Sequence, residues 1–138
     1  MEKKLINDRE IHPVGIGTWG MGGERLSDGN VYADYRYDQQ AIEAIRYAIA
    51  GGQNHIDTAQ FYGAGHTEEI VGEAIRETER ESLFIATKVW RSHCLRNAVP
   101  KAAEMSLRSL GTDYIDLLYV HFPWDAIEMN EYISGLND

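Results

Sequence analysis

Three ionisable residues recur along this chain at nearly one spacing. Asp57, Lys88 and His121 stand 31 and 33 residues apart. Each comes at or near the end of a segment that reads as a strand, "HIDTA", "LFIATKVW" and "YIDLLYVHF". A strand–helix unit takes ~30 residues, so the three occupy one position of a repeating unit. In a parallel sheet or barrel all strand C-termini open on one face, and that face carries the chemistry. The spacing predicts that Asp57, Lys88 and His121 converge there. Tyr62, five residues after Asp57 in "NHIDTAQFYGAG", reaches the same place from the loop.

The chemistry of such a set is definable. A phenol is a weak acid, with an ordinary pKa of about 10. A lysine ammonium within hydrogen-bond reach favours the phenolate. An aspartate beside the lysine keeps it charged and oriented, and a histidine fixes a carbonyl oxygen near the phenol. Together they protonate a carbonyl oxygen while something else attacks the carbon. No serine stands in a nucleophile elbow, so no acyl-enzyme nucleophile is evident. Taken singly, each residue has a plainer account. An aspartate after a strand is often a turn former or helix cap, a strand lysine is usually solvated, a lone histidine is usually a satisfied core residue, and a tyrosine beside glycine is commonly loop packing. Four such accidents at one end of successive strands are harder to credit.

The positioning elements are legible. Around Asn7-Asp8, "KKLINDREI" reads as a small hairpin. "VGIGTW", residues 14–19, reads as a short buried strand. A long loop rich in Gly, Asp and Tyr follows, of a length that is usually functional or disordered. Asp38 is a candidate N-cap for "QQAIEAIRYAIA", whose Ile42, Ile45 and Ile49 share one face. "HIDTA" is the next strand, and Thr67 is a candidate cap for "EEIVGEAIRETER". "LFIATKVW" is the third strand. A helix from about Asn97 follows, with Pro100 in its first turn and Val99, Ala103, Leu107 and Leu110 along its face. "YIDLLYVHF" is the fourth strand, and a helical pattern with Ile127, Tyr132, Ile133 and Leu136 closes the chain. Strands that are continuous apolar runs, alternating with helices, indicate a parallel sheet covered by helices.

Composition narrows the function classes. The chain has 138 residues, 43% of them hydrophobic, which suits one domain with a real core. Its net charge is -9 with no basic tract, so nucleic acid and anionic membrane are poor partners. No apolar run reaches the ~18 residues of a membrane span. "MEKKLINDRE" has no signal-peptide core, and the single Cys94 fits a reducing compartment, which reads as a cytoplasmic, soluble chain. The glycines of "GIGTWGMGG" do not form a dinucleotide fingerprint. His93-Cys94 has no second ligand pair at useful spacing, so no metal is expected. Arg91 and Arg96 read as surface charges at a helix start.

With these pieces in hand, the chain resembles the aldo-keto reductases in their N-terminal half. The resemblance rests on "GIGTW", "HIDTAQFYGAGHTEEIVGEAI", "LFIATKVW" and "SLRSLGTDYIDLLYVHFPW", which together span residues 14–124. It implies a (β/α)8 TIM barrel that uses NADP(H) to reduce small-molecule aldehydes or ketones. It implies Tyr62 as general acid, Asp57 and Lys88 tuning it, and His121 orienting the carbonyl. It also implies Gly17, Thr18, Trp19 and Asp57 at the cofactor, and Trp19, Tyr62, Trp90 and His121 at the substrate. A full barrel takes ~250 residues. The expected architecture is therefore one partial domain over residues 1–138, about four βα units behind a short hairpin, with the C-terminal half and most of the cofactor site absent. Open strand edges then favour a homo-oligomer, with residues around Val14, Ile16, Leu118 and Val120 expected to face the barrel interior. Two other readings stand beside the enzyme: a non-catalytic half barrel that self-associates, and a cofactor-sensing regulatory subunit.

Overall fold

The computed structural model of the chain describes residues 4–6, 8–23, 30–95, 97–123 and 127–137. The expected hairpin is present: β1 (Lys4–Ile6) pairs antiparallel with β2 (Arg9–Ile11). Asn7 of its expected turn lies outside the described residues, and so do Arg96 and Trp124. Four strands follow, β3 (Ile16–Gly17), β4 (His55–Asp57), β5 (Phe84–Val89) and β6 (Leu117–Val120). They form one sheet in the order β3-β4-β5-β6, every pair parallel. Between and after them come α1 (Asp38–Ala50), α2 (His66–Ile75), α3 (Val99–Leu110) and α4 (Met129–Asn137).

Strand pleating decides which face is which. Successive side chains alternate, and residues in register point the same way. Ile16, Ile56 and Ile85 are in register and are buried with Ile42 and Ile45 of α1, Ile70, Val71 and Ala74 of α2, and Leu110 of α3. Val89 on the same face packs with Val99 and Ala102 of α3, Tyr132 of α4, Leu118 and Val120. All four helices thus cover one face. The other face carries Gly17, Asp57 and Ala86 in register, then Lys88 and Tyr119. Helices on a single face of a parallel sheet make a half barrel, not a doubly wound sheet. The same alternation corrects one expectation: Ile16, Leu118 and Val120 belong to the helix side, and the interior face is made of Gly17, Ala86, Leu117 and Tyr119 instead.

Several local assignments shift for identifiable reasons. β3 and β6 are shorter than the apolar runs, because at their ends the ladder continues only as single bonds. The Thr18 amide donates to the Asp57 carbonyl at 3.1 Å, and the His121 amide donates to the Val89 carbonyl at 3.0 Å. Asp38 is the first residue of α1 and not its cap; among the described residues no side chain caps this helix, and the Asp38 carboxylate goes to His66 Nε2 at 2.9 Å. Thr67 is likewise no cap, since α2 begins one residue earlier and the Thr67 hydroxyl is buried without a hydrogen-bond partner among the described residues. In α3 the buried stripe is Val99, Ala102, Ser106 and Leu110, a rotation that points Ser106 inward. In α4 Tyr132 is buried while Ile133 and Leu136 are exposed.

At the strand N-terminal end an ionic clamp joins the hairpin to the sheet. The Asp116 carboxylate accepts from Arg9, from Arg80 at 2.7 Å and from the Ile85 amide at 2.8 Å. A groove of about 900 Å³ opens on the helix side between α2 and α3. Its cations are already engaged, Arg76 with Glu73 and Arg108 with Glu104. Among the described residues no helix is long and apolar enough to cross a membrane.

One acid is buried in the helix layer. Glu68 of α2 is 2% exposed, and its carboxylate accepts the Thr87 hydroxyl proton at 2.6 Å. Burial raises its pKa above the ordinary 4.5, against the lowering effect of the Thr87 and Ser106 hydroxyls. A raised carboxyl pKa means that the native state holds the proton longer than the unfolded chain. Its contribution is therefore full below about 4.5 and is lost as pH rises through the folded value. Glu68→Gln is expected to be the more stable chain at pH 7.5, by on the order of 1 kcal/mol. Urea midpoints at pH 4.5 and 7.5 check this, and equal pH dependence in the two chains would refute it.

Candidate active site

Lys88 organises the strand ends. It lies one residue before the end of β5 on the interior face, beside Asp57 at the end of β4. Its ammonium donates to Asp57 Oδ2 at 2.8 Å, to the Thr58 carbonyl at 2.9 Å and to the Tyr62 hydroxyl at 3.1 Å. An ammonium has three donors, and all three are used. The Lys88 side chain is 16% exposed and that of Asp57 39%, so the pair sits at a mouth and not in a sealed core.

Tyr62 is held by an unusual turn. It opens the 3-10 segment Tyr62–Gly65, in which Gly63, Ala64 and Gly65 have φ of 56°, 55° and 100°. Left-handed backbone costs a non-glycine residue roughly 1–2 kcal/mol, so Ala64 carries strain beside the phenol. Gly63 is required for a second reason: a Cβ there would collide with the Gly22 carbonyl. Strain of this kind gathers where a side chain must be aimed.

His121 follows β6 directly. Its ring meets the Tyr62 ring edge-on at 5.5 Å between centroids, and its Nδ1 is buried without a partner among the described residues. Burial lowers its pKa below 6.5, and the Lys88 charge lowers it further, with Asp57 acting the other way. The imidazole is therefore neutral near pH 7, with one N–H to donate and one nitrogen to accept.

The structure brings Asp57, Tyr62, Lys88 and His121 together as the spacing predicts. Trp19 joins them, its ring 4.9 Å from that of Tyr62. Trp90 lies 5.7 Å from His121, ring to ring. Gly17 is exposed, and a Cβ there would meet nothing within 4 Å, so the floor beside Asp57 is open. Thr18 differs from its neighbours: it is fully buried, and its hydroxyl donates to the Asp57 carbonyl at 2.9 Å. It pins the backbone that carries Asp57.

Three residues escaped the sequence reading. Phe61 stacks on Trp90 at 3.9 Å, nearly parallel, and Phe122 stacks on His121 at 4.7 Å. Gln60 accepts the Trp90 amide proton at 3.2 Å and donates to the Ala102 carbonyl at 2.7 Å and the Ser106 hydroxyl at 3.0 Å. Adjacency was the available signal for the two phenylalanines, since Phe61 precedes Tyr62 and Phe122 follows His121. Nothing local marks Gln60, whose partners are 30 to 46 residues away. Cys94 is buried with its thiol pKa pushed up by that burial, so it is packing and not a nucleophile. Among the described residues no group of three or more His, Cys, Asp or Glu is placed to hold a metal ion.

Helices on one face and a converging ionisable set at the strand ends of the other define a class: parallel βα-barrel proteins with their chemistry at the barrel mouth. The particular family follows from comparison. The aldo/keto reductase family model matches residues 13–138, and the chain belongs to that family. It is 37% identical over 142 residues to aldo-keto reductase YhdN of Bacillus subtilis, covering 95% of this chain and 41% of that protein. It is 39% identical over 125 residues to a D-galacturonate reductase of Hypocrea jecorina, covering 87% and 34%. Among solved structures, the thermostable aldo-keto reductase Tm1743 in complex with epalrestat superposes with a TM-score of 0.89 at 40% identity, covering 99% of this chain and 48% of that one. An aldo-keto reductase from Klebsiella pneumoniae in complex with NADPH gives a TM-score of 0.83 at 34% identity, covering 99% and 45%. The chain thus spans less than half the length of each of these relatives.

Proposed function

We propose that this chain carries the carbonyl-protonating half of an NADP(H)-dependent reductase of small aldehydes or ketones. One observation bears most of the weight: a single ammonium bonded at once to Asp57 Oδ2 and to the Tyr62 hydroxyl. The charge of Lys88 stabilises the phenolate that forms when Tyr62 gives up its proton, and Asp57 keeps the ammonium in place. His121 donates its one N–H to the carbonyl oxygen. Tyr62 then protonates that oxygen as it gains charge, and solvent returns the proton to the phenol. When bound, NADPH supplies the hydride that reaches the carbonyl carbon. The net reaction consumes one NADPH, one proton and one carbonyl, and yields NADP and an alcohol.

The residues present fit the reactive end of that cofactor. The open floor at Gly17, the exposed Trp19 ring and the partly exposed Asp57 carboxylate leave room for a flat ring beside Lys88. Thr18 serves this surface from behind, by fixing Asp57. Relatives support the cofactor and the reaction class: the Klebsiella pneumoniae structure holds NADPH, and a methylglyoxal reductase of Escherichia coli, YeaE, is 35% identical over 125 residues. Trp19 and Trp90, with Phe61 and Phe122, form the wall against which the substrate lies. We also propose that copies of this chain associate through the edges of β3 and β6, each of which has one neighbour among the described residues.

Titrating NADPH fluorescence against the 138-residue chain, then adding an aldehyde, tests the reading. Binding followed by aldehyde-dependent oxidation supports it. Binding without turnover favours a cofactor-sensing subunit, and absence of binding favours a non-catalytic half barrel.

A further inference from the structure

His66 is the residue that ends the turn carrying Tyr62, and nothing in the proposed reaction uses it. Its side chain is 8% exposed. Both ring nitrogens are engaged by carboxylates, Nδ1 with Glu69 Oε2 at 2.9 Å and Nε2 with Asp38 Oδ1 at 2.9 Å and Oδ2 at 3.0 Å. The Tyr35 ring covers the imidazole at 4.1 Å between centroids. A carboxylate accepts only, so both nitrogens must donate, and only the imidazolium has two N–H groups.

The location gives this arrangement a consequence. The backbone N–H of His66 bonds the carbonyls of Tyr62 and Gly63, closing the turn. Within the turn, residues 63–65 are left-handed, and a Cβ at Gly65 would meet nothing within 4 Å. The His66 ring gives the downstream end of that turn an ionic tie to α1, beside the close packing of Gly63 and Thr67 against Gly22. Asp38 is the first residue of α1, and Glu69 lies in the first turn of α2.

We propose that His66 is a positioning residue for Tyr62: as an imidazolium it ties the start of α1, through Asp38, to the turn that presents the phenol. The name of positioning residue rests on the proposed role of Tyr62; the clamp itself does not. When the ring loses a proton, one of the two carboxylates faces a lone pair, and one tie is lost. The groups facing the ring are Asp38 from α1, Glu69 from α2 and Tyr35 from the preceding loop. Arg36, next to Tyr35, is turned to the Asp34 carboxylate, and Glu68 is turned to Thr87. Burial works against the protonated ring, but the hydrogen bonds and charges of Glu69 and Asp38 outweigh it, so the pKa is raised above 6.5. The clamp is therefore complete below 6.5 and is lost as pH rises through the folded value.

The test is an NMR titration of the whole chain with nitrogen-labelled histidine and ring-labelled tyrosine. Both His66 nitrogens are expected in the imidazolium range beyond pH 6.5. The Tyr62 ring signals are expected to inflect at the His66 midpoint, apart from any inflection due to His121, which titrates below 6.5. His66→Gln is expected to abolish that Tyr62 inflection. Asp38→Asn keeps the imidazole and is expected to move the His66 midpoint and the Tyr62 inflection down together. Tyr62 signals that stay flat through the His66 midpoint would overturn the proposal. So would an Asp38→Asn chain in which the His66 midpoint moves and the Tyr62 inflection does not. A merely structural histidine produces no shared midpoint. Because neither NADPH nor turnover is measured, failure here is distinct from failure of the reductase reading.

Discussion

Tyr62→Phe is expected to lower aldehyde-dependent NADPH oxidation by ~10²–10⁴-fold, the usual contribution of a positioned general acid. NADPH binding is expected to change little, because phenylalanine keeps the ring that Trp19 and His121 contact edge-on. What is lost is one hydroxyl, bonded to Lys88 Nζ at 3.1 Å. Lys88→Met is expected to cost at least as much by a different route. It leaves the phenol without its cation, and it leaves the Asp57 carboxylate and the Thr58 carbonyl without their donor. Stopped-flow oxidation of NADPH at saturating aldehyde measures both, with cofactor binding followed separately by fluorescence. A Tyr62→Phe chain within threefold of the parent rate would remove the phenol from the mechanism and leave His121 as the candidate proton donor.

The second large effect concerns association. Among the described residues β3 and β6 each have one neighbour in the sheet, so each presents an edge to a further strand. All four strands run the same way. A second copy turned about an axis along the strands can set its β3 beside β6 and its β6 beside β3, closing eight parallel strands. The interior face offers apolar surface to such a partner: Tyr119 is large and exposed, and Leu117 is half-buried. An interface of ordinary size, ~1,600 Å², grosses roughly 20–40 kcal/mol at about 25 cal/mol per Å², of which association costs consume much. Two chains of net charge -9 repel, but exposed charges are screened within ~8 Å at physiological salt. Sedimentation velocity at micromolar concentration is expected to show a dimer or a larger species. A monomer that unfolds cooperatively would show that the half barrel is satisfied alone, and the edges would then need no partner.

The strand–helix order and the four converging residues were readable from the amino-acid sequence, because both rest on local facts. Apolar continuity and a 3.6-residue period come from backbone geometry. A spacing of 31 and 33 residues places Asp57, Lys88 and His121 at equivalent strand ends whatever the helices between them do. Even the Lys88 bonds to Asp57 and Tyr62 followed, since adjacent parallel strands leave these groups little else within reach. Tertiary structure decided where groups had a choice of partner. Asp38 and Thr67 had the composition of helix caps, yet Asp38 took a charge-assisted bond to His66, 28 residues away, and Thr67 was buried inside its helix. Such a bond is roughly twice as strong as a neutral one, so an ionic partner brought close by folding outcompetes a local amide. Arg9 found Asp116 across 107 residues in the same way, whereas the neutral amide of Gln60 found Trp90, Ala102 and Ser106 because folding brought those partners within reach. Which strand residues face the helices, and therefore whether Ile16, Leu118 and Val120 line the barrel or its outer layer, was fixed only by the register between neighbouring strands. That register is a relation between distant segments, and no single run of residues contains it.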